Sequence, residues 1–547
     1  MNHLHCSLGR HRFVPCLGPL VPLLGPWISG LAVLVVFLWL AGCGPEGGPE
    51  SPLPETTPLE ASGYDRLTTH EELVSFLESL AAGSPRVTLR ELGSSVEGRS
   101  IPYLEVGLGE FGARREEKVM VMAFAQQHGN EPSGKEGALQ LALELARGDH
   151  DDLLEGVDLL LVPQVNPDGG DLHQRRNAGD VDLNRSHLIL DGPEVVALRE
   201  LFHRWEPEVT VDVHEYYPWS DAWLEAGWLR LWDVQIGLPT NLNTHPAIRA
   251  MAEEEFLPFA IETLERRGFT GHNYIVGSPG SLRYSTSDVN DGRQGFGILN
   301  TLSFIFEGKR SEPLAEEMER RSQGQRLALE ALLRFSAREG DRIRATVRGA
   351  REGVGPSMDG EFILAMGRAG DGAPLSIPVE SVREEGGRWV VGDTVTAVIE
   401  AWFPRVVPER TTPLPEAYLV PAEEEALIRL LRLHHVEMVE MEGGERLEVE
   451  RLTLAGFSTV ELEGPTRLAE VARRSDIHEA APGDRVIPTG QLRGLLVASA
   501  LEPESMHGLL HYPEFEGLAR EGDFPLLRVM EWPGLEWPGL ESPGVEP

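Results

Sequence analysis

Residues 118–131 read KVMVMAFAQQHGNE. The run VMVMAFA is apolar at every position, which predicts a strand buried on both faces. Gln126 and Gln127 close the strand, and His128-Gly129-Asn130-Glu131 follows directly on it. A histidine and a carboxylate three residues apart at a strand end can turn back onto one metal ion, because imidazole nitrogen and carboxylate oxygen are both good zinc ligands. His-x-x-Glu alone is a weak signal. The chain carries a second copy, His434 and Glu437, read here as chance on an exposed helix end.

Outward from this stretch, strand and helix signals alternate from about 118 to 340. Residues 134–147 have helical spacing, and VDLLLVPQV at 157–165 is a second buried strand. Residues 193–205 are helical, and VTVDV at 209–213 is a third strand. Residues 245–267 form a long amphipathic helix, LSFIF at 302–306 is a fourth strand, and a charged helix runs to about 339. Such alternation implies an α/β domain with a mostly parallel sheet covered by helices, and its sites form where strands end and loops begin.

Two further strands end in chemistry-bearing residues. His214 ends the third, in VTVDVHEYY, and can face the same crevice as His128. Two histidines and one carboxylate leave an open fourth position, as a catalytic zinc requires. Glu307 ends the fourth, in LSFIFEGKR. A carboxylate after five apolar residues is costly unless it is used or paired. Near zinc it would take a proton from water and pass it to a leaving amine; the alternative is a salt bridge to Lys309 or Arg310. Between the second and third strands lie Asn166-Pro167-Asp168-Gly169, Arg175-Arg176-Asn177 and Asp182-Leu183-Asn184-Arg185. Arginine forks there suit a carboxylate, and one could stabilise a developing oxyanion.

These motifs, HGNE, NPDG with RRNAGDVDLNR, DVHE and FIFE, fall in the order found in the zinc metallocarboxypeptidases, the carboxypeptidase A-like peptidases, and residues 64–340 resemble that family. The resemblance implies a three-layer α/β/α sandwich around a mixed, roughly eight-stranded sheet. It implies one zinc held by His128, Glu131 and His214, with Glu307 as general base and acid. It implies Arg175 at the polarised carbonyl, and Asn184 with Arg185 on the terminal carboxylate of a peptide substrate. A family tyrosine on a mobile loop corresponds best to Tyr284, with Tyr274 as the alternative. The specificity position falls in DVNDGRQGFGILN, where Arg293 is expected to attract an acidic substrate side chain, with Asp288 and Asp291 near it. Two rival readings are a zinc amidase or deacylase of the same superfamily, acting on cell-wall peptides or N-acyl amino acids, and a lipid-anchored binding protein with a dead peptidase fold.

The rest of the 547 residues sets the context. The net charge is −38, and Arg10 and Arg12 are the only charges in residues 1–42, so the remainder carries −40. So acidic a chain offers no broad basic surface for nucleic acid. The three cysteines, Cys6, Cys16 and Cys43, all precede the globular part, which therefore has neither disulfides nor a cysteine metal site. ISGLAVLVVFLWL at 28–40 is shorter than the about 20 residues of a membrane-spanning helix and suits a signal-peptide core. Leu40-Ala41-Gly42-Cys43 then resembles the bacterial lipoprotein cleavage box, which implies a lipid anchor on Cys43 after removal of residues 1–42. The expectation is an exported cell-envelope lipoprotein held at a membrane, with Gly44 leaning toward the outer membrane and a face to periplasm or exterior. Residues 43–63 are rich in Pro, Gly and Glu and predict an extended, solvated tether. Residues 341–529 break into short strand-like runs and predict a separate β-rich accessory module, resembling one found behind some bacterial members of the family. Residues 530–547 repeat Glu-Trp-Pro-Gly-Leu and predict a low-complexity tail.

Overall fold

The computed structural model describes residues 52–353, 360–519 and 523–531. The signal peptide and Cys43, and the tail from 532 onward, lie outside them.

The stretch that opened the sequence reading becomes the strand Val119–Ala125, near the middle of an eight-stranded sheet. Across that sheet the order is Val87–Ser94, Ser100–Val106, Val157–Val162, Val119–Ala125, Val209–Tyr216, Leu302–Lys309, Val234–Gly237, Gly271–Asn273. The four strands read from sequence pair in parallel, while Ser100–Val106 and Val234–Gly237 join antiparallel at either side, so the sheet is mixed. Strand alternation divides the side chains between two cores. Val119, Val121, Ala123 and Ala125 enter one core, and Met120, Met122 and Phe124 the other. The first core is covered by the helices His70–Gly83, Ser133–Arg147 and Met318–Arg338, the second by Pro193–Trp205.

The same alternation builds the site. Val209, Val211 and Val213 face the first core, as do Leu302, Phe304 and Phe306. His214 and Glu307 therefore point to the opposite side, and the parallel register pairs them directly, His214 with Glu307. Both stand at the C-terminal ends of parallel strands, beside the end of Val119–Ala125, which is where open α/β sheets gather ligands.

Three sequence expectations change. Residues 52–63 are packed rather than tethered. Thr57 and Glu60 cap each other around the helical turn Pro58–Ala61, Leu59 is buried and Leu53 lies against the first core. Two leucines among the Pro and Glu residues give this segment apolar area to bury, which composition averages away. The helical layer also continues past 340, because Gly340–Glu352 adds Ile343, Val347 and Ala350 to the first core. The C-terminal region is β-rich, as expected, with a six-stranded sheet and long hairpins, but it is not separate. Phe362, Tyr418, Leu427, Leu431, Leu495 and Leu496 share the second core with Phe124, Leu198 and Phe202. Its strand Leu375–Glu385 pairs with Trp228–Leu229, and Trp402–Phe403 pairs with Ser281–Tyr284. Apolar surface on both sides makes one continuous core cheaper than two exposed faces.

Candidate metal centre and substrate cleft

Two loops must meet for the site to form, and two glycines let them. A Cβ on Gly129 would lie 2.0 Å from the carbonyl carbon of Gly169, so only a glycine brings HGNE this close to NPDG. Asn166 ties the contact from both ends: its Nδ2 donates to the Gln127 carbonyl at 3.0 Å, and its Oδ1 accepts from Gly169 N–H at 2.8 Å. Asp168 does structural work here, buried and bound to Ser95, Glu97 N–H and Arg99.

His128, Glu131 and His214 then converge. One ligand atom from each lies within 4.8 Å of the others, and all three residues are buried. His128 Nδ1 is 2.9 Å from Glu131 and 3.0 Å from His214 Nδ1, which is itself 2.8 Å from Glu131. The opposite ring nitrogens face other carboxylates: His128 Nε2 is 3.1 Å from Asp182 and His214 Nε2 is 2.8 Å from Asp212. Donation of each Nε2–H to its carboxylate leaves both Nδ1 lone pairs aimed at the point where Glu131 also presents its oxygens. Three lone-pair donors so close call for a cation, and two nitrogens with one carboxylate are a catalytic zinc set. Among the described residues this is the one such group of His, Cys, Asp and Glu side chains. His434 forms no second centre. It is buried rather than exposed, Nε2 donating to the Leu188 carbonyl at 2.7 Å, while Glu437 faces outward.

Glu307 lies in the same cleft, of about 490 Å³, with the three ligands. The salt-bridge alternative fails, since Lys309 pairs with Glu380 and Arg310 with Glu312. Burial pushes the Glu307 carboxyl up to about 7, against the pull of His214. A carboxylate poised near neutrality can both take and return a proton. Its hydrogen-bond partner is Tyr274.

The expected substrate residues divide. Arg175, Asn184 and Arg185 line the cleft. Arg175 Nε donates to Asp182 at 2.9 Å, and its Nη1 reaches 3.2 Å from His128 Nδ1. Asn184 Oδ1 accepts from Gly292 N–H at 2.7 Å. Arg176 and Asn177 stay outside: Arg176 is exposed, and Asn177 folds its own loop. Tyr284 is not in the cleft. It packs edge-on against Trp402, ring centroids 4.8 Å apart, because its strand is paired to Trp402–Phe403, and Tyr274 takes the place beside Glu307. Arg293 is not available to substrate either. It is 1% exposed, held by Asp291 at 3.0 Å and by the Thr286 carbonyl at 2.9 Å. Burying a guanidinium demands such an internal counter-charge, and Asp291 supplies it while also capping the helix Gly292–Gly297.

Sequence reading missed Asp182 and Asp212, though both left a signal. Asp212 sits two residues before His214 in an otherwise apolar strand, on the same face. It gave no cleft role to Arg230, Arg283 or Arg310, all of which line the cleft.

Residues 73–206 match the zinc carboxypeptidase family model, a span that includes His128, Glu131, Arg175, Asn184 and Arg185. The chain is 26% identical over 470 residues to carboxypeptidase 2 of Trichophyton rubrum, covering 82% of this chain and 84% of that one. It is 34% identical over 122 residues to carboxypeptidase E of Caenorhabditis elegans, covering 19% and 26%. Among solved structures, a metallo-carboxypeptidase from Pseudomonas aeruginosa in complex with (2-guanidinoethylmercapto)succinic acid aligns over 51% of this chain and 71% of its own, at 24% identity and a TM-score of 0.40. A buried His-Glu-His triad at the ends of parallel strands accompanies the match to that model, and in both sequence and metal-site chemistry the chain is similar to the zinc metallocarboxypeptidases.

Proposed function

We propose that the protein removes C-terminal residues from peptides by hydrolysing the last peptide bond. The observation that carries this reading is the placement of Asn184 and Arg185 in one cleft with His128, Glu131, His214 and Glu307. A planar guanidinium beside an amide matches a terminal carboxylate, so the substrate's free end is held on one side of the cleft and its scissile carbonyl beside the metal ligands. When bound, zinc supplies Lewis acidity and eases deprotonation of water at the site. Glu307 takes that proton and returns it to the leaving amine, and its near-neutral proton affinity suits both steps. Arg175 stabilises charge developing on the carbonyl oxygen. Tyr274, hydrogen-bonded to Glu307, holds that carboxylate toward the reacting atoms.

Paired peptides with free and amidated C-termini test the reading. Cleavage of the free form alone supports it. Equal cleavage of both overturns it in favour of an amidase or deacylase. We also propose that the chain is exported and anchored through a lipid on Cys43, for which the apolar run 28–40 and the Leu-Ala-Gly-Cys box are the support. Acyl labelling that survives Cys43→Ser would refute this.

A further inference from the structure

We propose that Glu463, at the tip of a C-terminal hairpin, is a positioning residue for the substrate cleft, so that the C-terminal region is part of the catalytic apparatus. The hairpin strands Arg446–Glu461 and Pro465–Glu479 carry Glu463 to the loop at 285–291. There its carboxylate accepts from Ser287 N–H at 3.0 Å, from Thr286 Oγ1 at 2.6 Å and from Ser287 Oγ at 3.1 Å. The loop is the far wall of the cleft: Ser285, Thr286 and Asp291 line it.

Other C-terminal residues grip the same loop. Arg368 bridges Glu463 and the Ser285 carbonyl. His507 Nε2 is 3.3 Å from Ser287 Oγ, and its Nδ1 is 3.5 Å from Asp288. Tyr512 is hydrogen-bonded to Asn290. The strand leading into the loop is pinned as well, Leu282 and Arg283 pairing with Trp402 and Phe403. Although burial opposes its charge, Arg368 and Arg283 hold the Glu463 carboxyl down at about 2, so it stays a full acceptor at any working pH.

The grip passes through the loop to the groups assigned to substrate. The Thr286 carbonyl accepts from Arg293 and from Gln294, each at 2.9 Å. Asn290 donates to the carbonyl of Arg185 and accepts from Leu188 N–H at 2.6 Å. Gly292 N–H is held by Asn184. Freeing residues 285–288 would therefore loosen the backbone that aims Arg185 and Asn184, while His214 and Glu307 on the sheet, and His128 and Glu131 on the buried loop after Val119–Ala125, keep their places. The consequence falls on substrate binding and little on the chemical step.

The test compares the full chain with Glu463→Ala and, as a control, its exposed neighbour Glu461→Ala. Because several charge-assisted hydrogen bonds are lost, Glu463→Ala should raise KM for a free C-terminal peptide about tenfold, with kcat within about twofold and zinc content unchanged. Amide exchange at Ser287 should accelerate about tenfold. Glu463→Gln, which keeps an acceptor oxygen but not the charge, should recover part of both effects, and Glu461→Ala should change neither. A folded Glu463→Ala protein with wild-type KM and wild-type exchange at Ser287 overturns the proposal. Should that variant not fold, the same wild-type result for Glu463→Gln overturns it. The kinetic arm rests on the carboxypeptidase reading: if the wild type ignores free C-terminal peptides, that reading falls, and exchange at Ser287 still decides the grip on the loop.

Discussion

The two walls of the cleft are built by different means. One carries His128, Glu131, His214 and Glu307, and each of these ends or follows a parallel strand of the central sheet. The other runs from Tyr274 to Asp291, a short hairpin followed by a loop, and is held by Arg368, Glu463, His507 and Tyr512 from far along the chain. Sheet register fixes the first wall rigidly, since a shift of one residue would turn His214 and Glu307 into the core. Beyond its short strand pairing, the loop of the second wall is only as fixed as its polar contacts. A cleft built this way keeps its metal chemistry on the stiff side and ties Asn184 and Arg185, through Gly292 and Asn290, to the adjustable one.

Variants on the stiff wall should show the larger effects. Glu307→Gln should lower kcat by about 10²–10⁴-fold with zinc retained, as expected for loss of a general base; a loss below tenfold would mean that another group takes the proton. Asp212→Ala removes the carboxylate that aims His214 and should weaken zinc affinity about 10–100-fold, measured by competition with a chelator. On the other wall, Tyr274→Phe should lower kcat/KM by up to about tenfold, the worth of one hydrogen bond, whereas Tyr284→Phe should stay within about twofold. The reverse ranking would put Tyr284 back in the cleft.

The smallest effect concerns the join between the regions. His434 is buried against Leu188, and burial, aided by the charge of Arg199, lowers its pKa to about 3. It is neutral in the fold and takes a proton on unfolding once pH drops below about 6.5, so the unfolded state binds more protons and stability falls with falling pH, down to about 3. Between pH 6.5 and 5.5 this group alone should remove about 1 kcal/mol. His434→Gln should flatten that part of the denaturation profile, and an unchanged slope would mean that His434 is already protonated in the fold.

How much was legible in advance follows the same division. His214 and Glu307 stood out because each ends an apolar run, where a polar group is costly unless used, and His128 with Glu131 because they follow directly on a buried strand at metal-ligand spacing. Asn184 and Arg185 were legible only through the order of motifs. Tyr284 and Arg293 were misplaced for one physical reason. Between the last cleft strand and Glu307 the chain has no periodicity to say which side chain faces in: Trp402, more than 100 residues away, decides it for Tyr284, and Asp291 with the Thr286 carbonyl decides it for Arg293. The reading of residues 341–529 as a separate module failed similarly. Short apolar runs announce strands, but they do not say whose core those strands complete.

By itself, then, the sequence determined the α/β alternation and the strand ends that carry the metal ligands and the base, since burial and spacing are local properties of the chain, and its motif order carried the resemblance to the metallocarboxypeptidases. Only the tertiary structure decided that residues 52–63 pack down, that Tyr274 rather than Tyr284 meets Glu307, that Asp291 neutralises Arg293, and that Glu463 reaches the cleft. Each of these depends on which charge or apolar surface the fold brings against the side chain, and that is settled by the packing of the whole chain rather than by its local pattern.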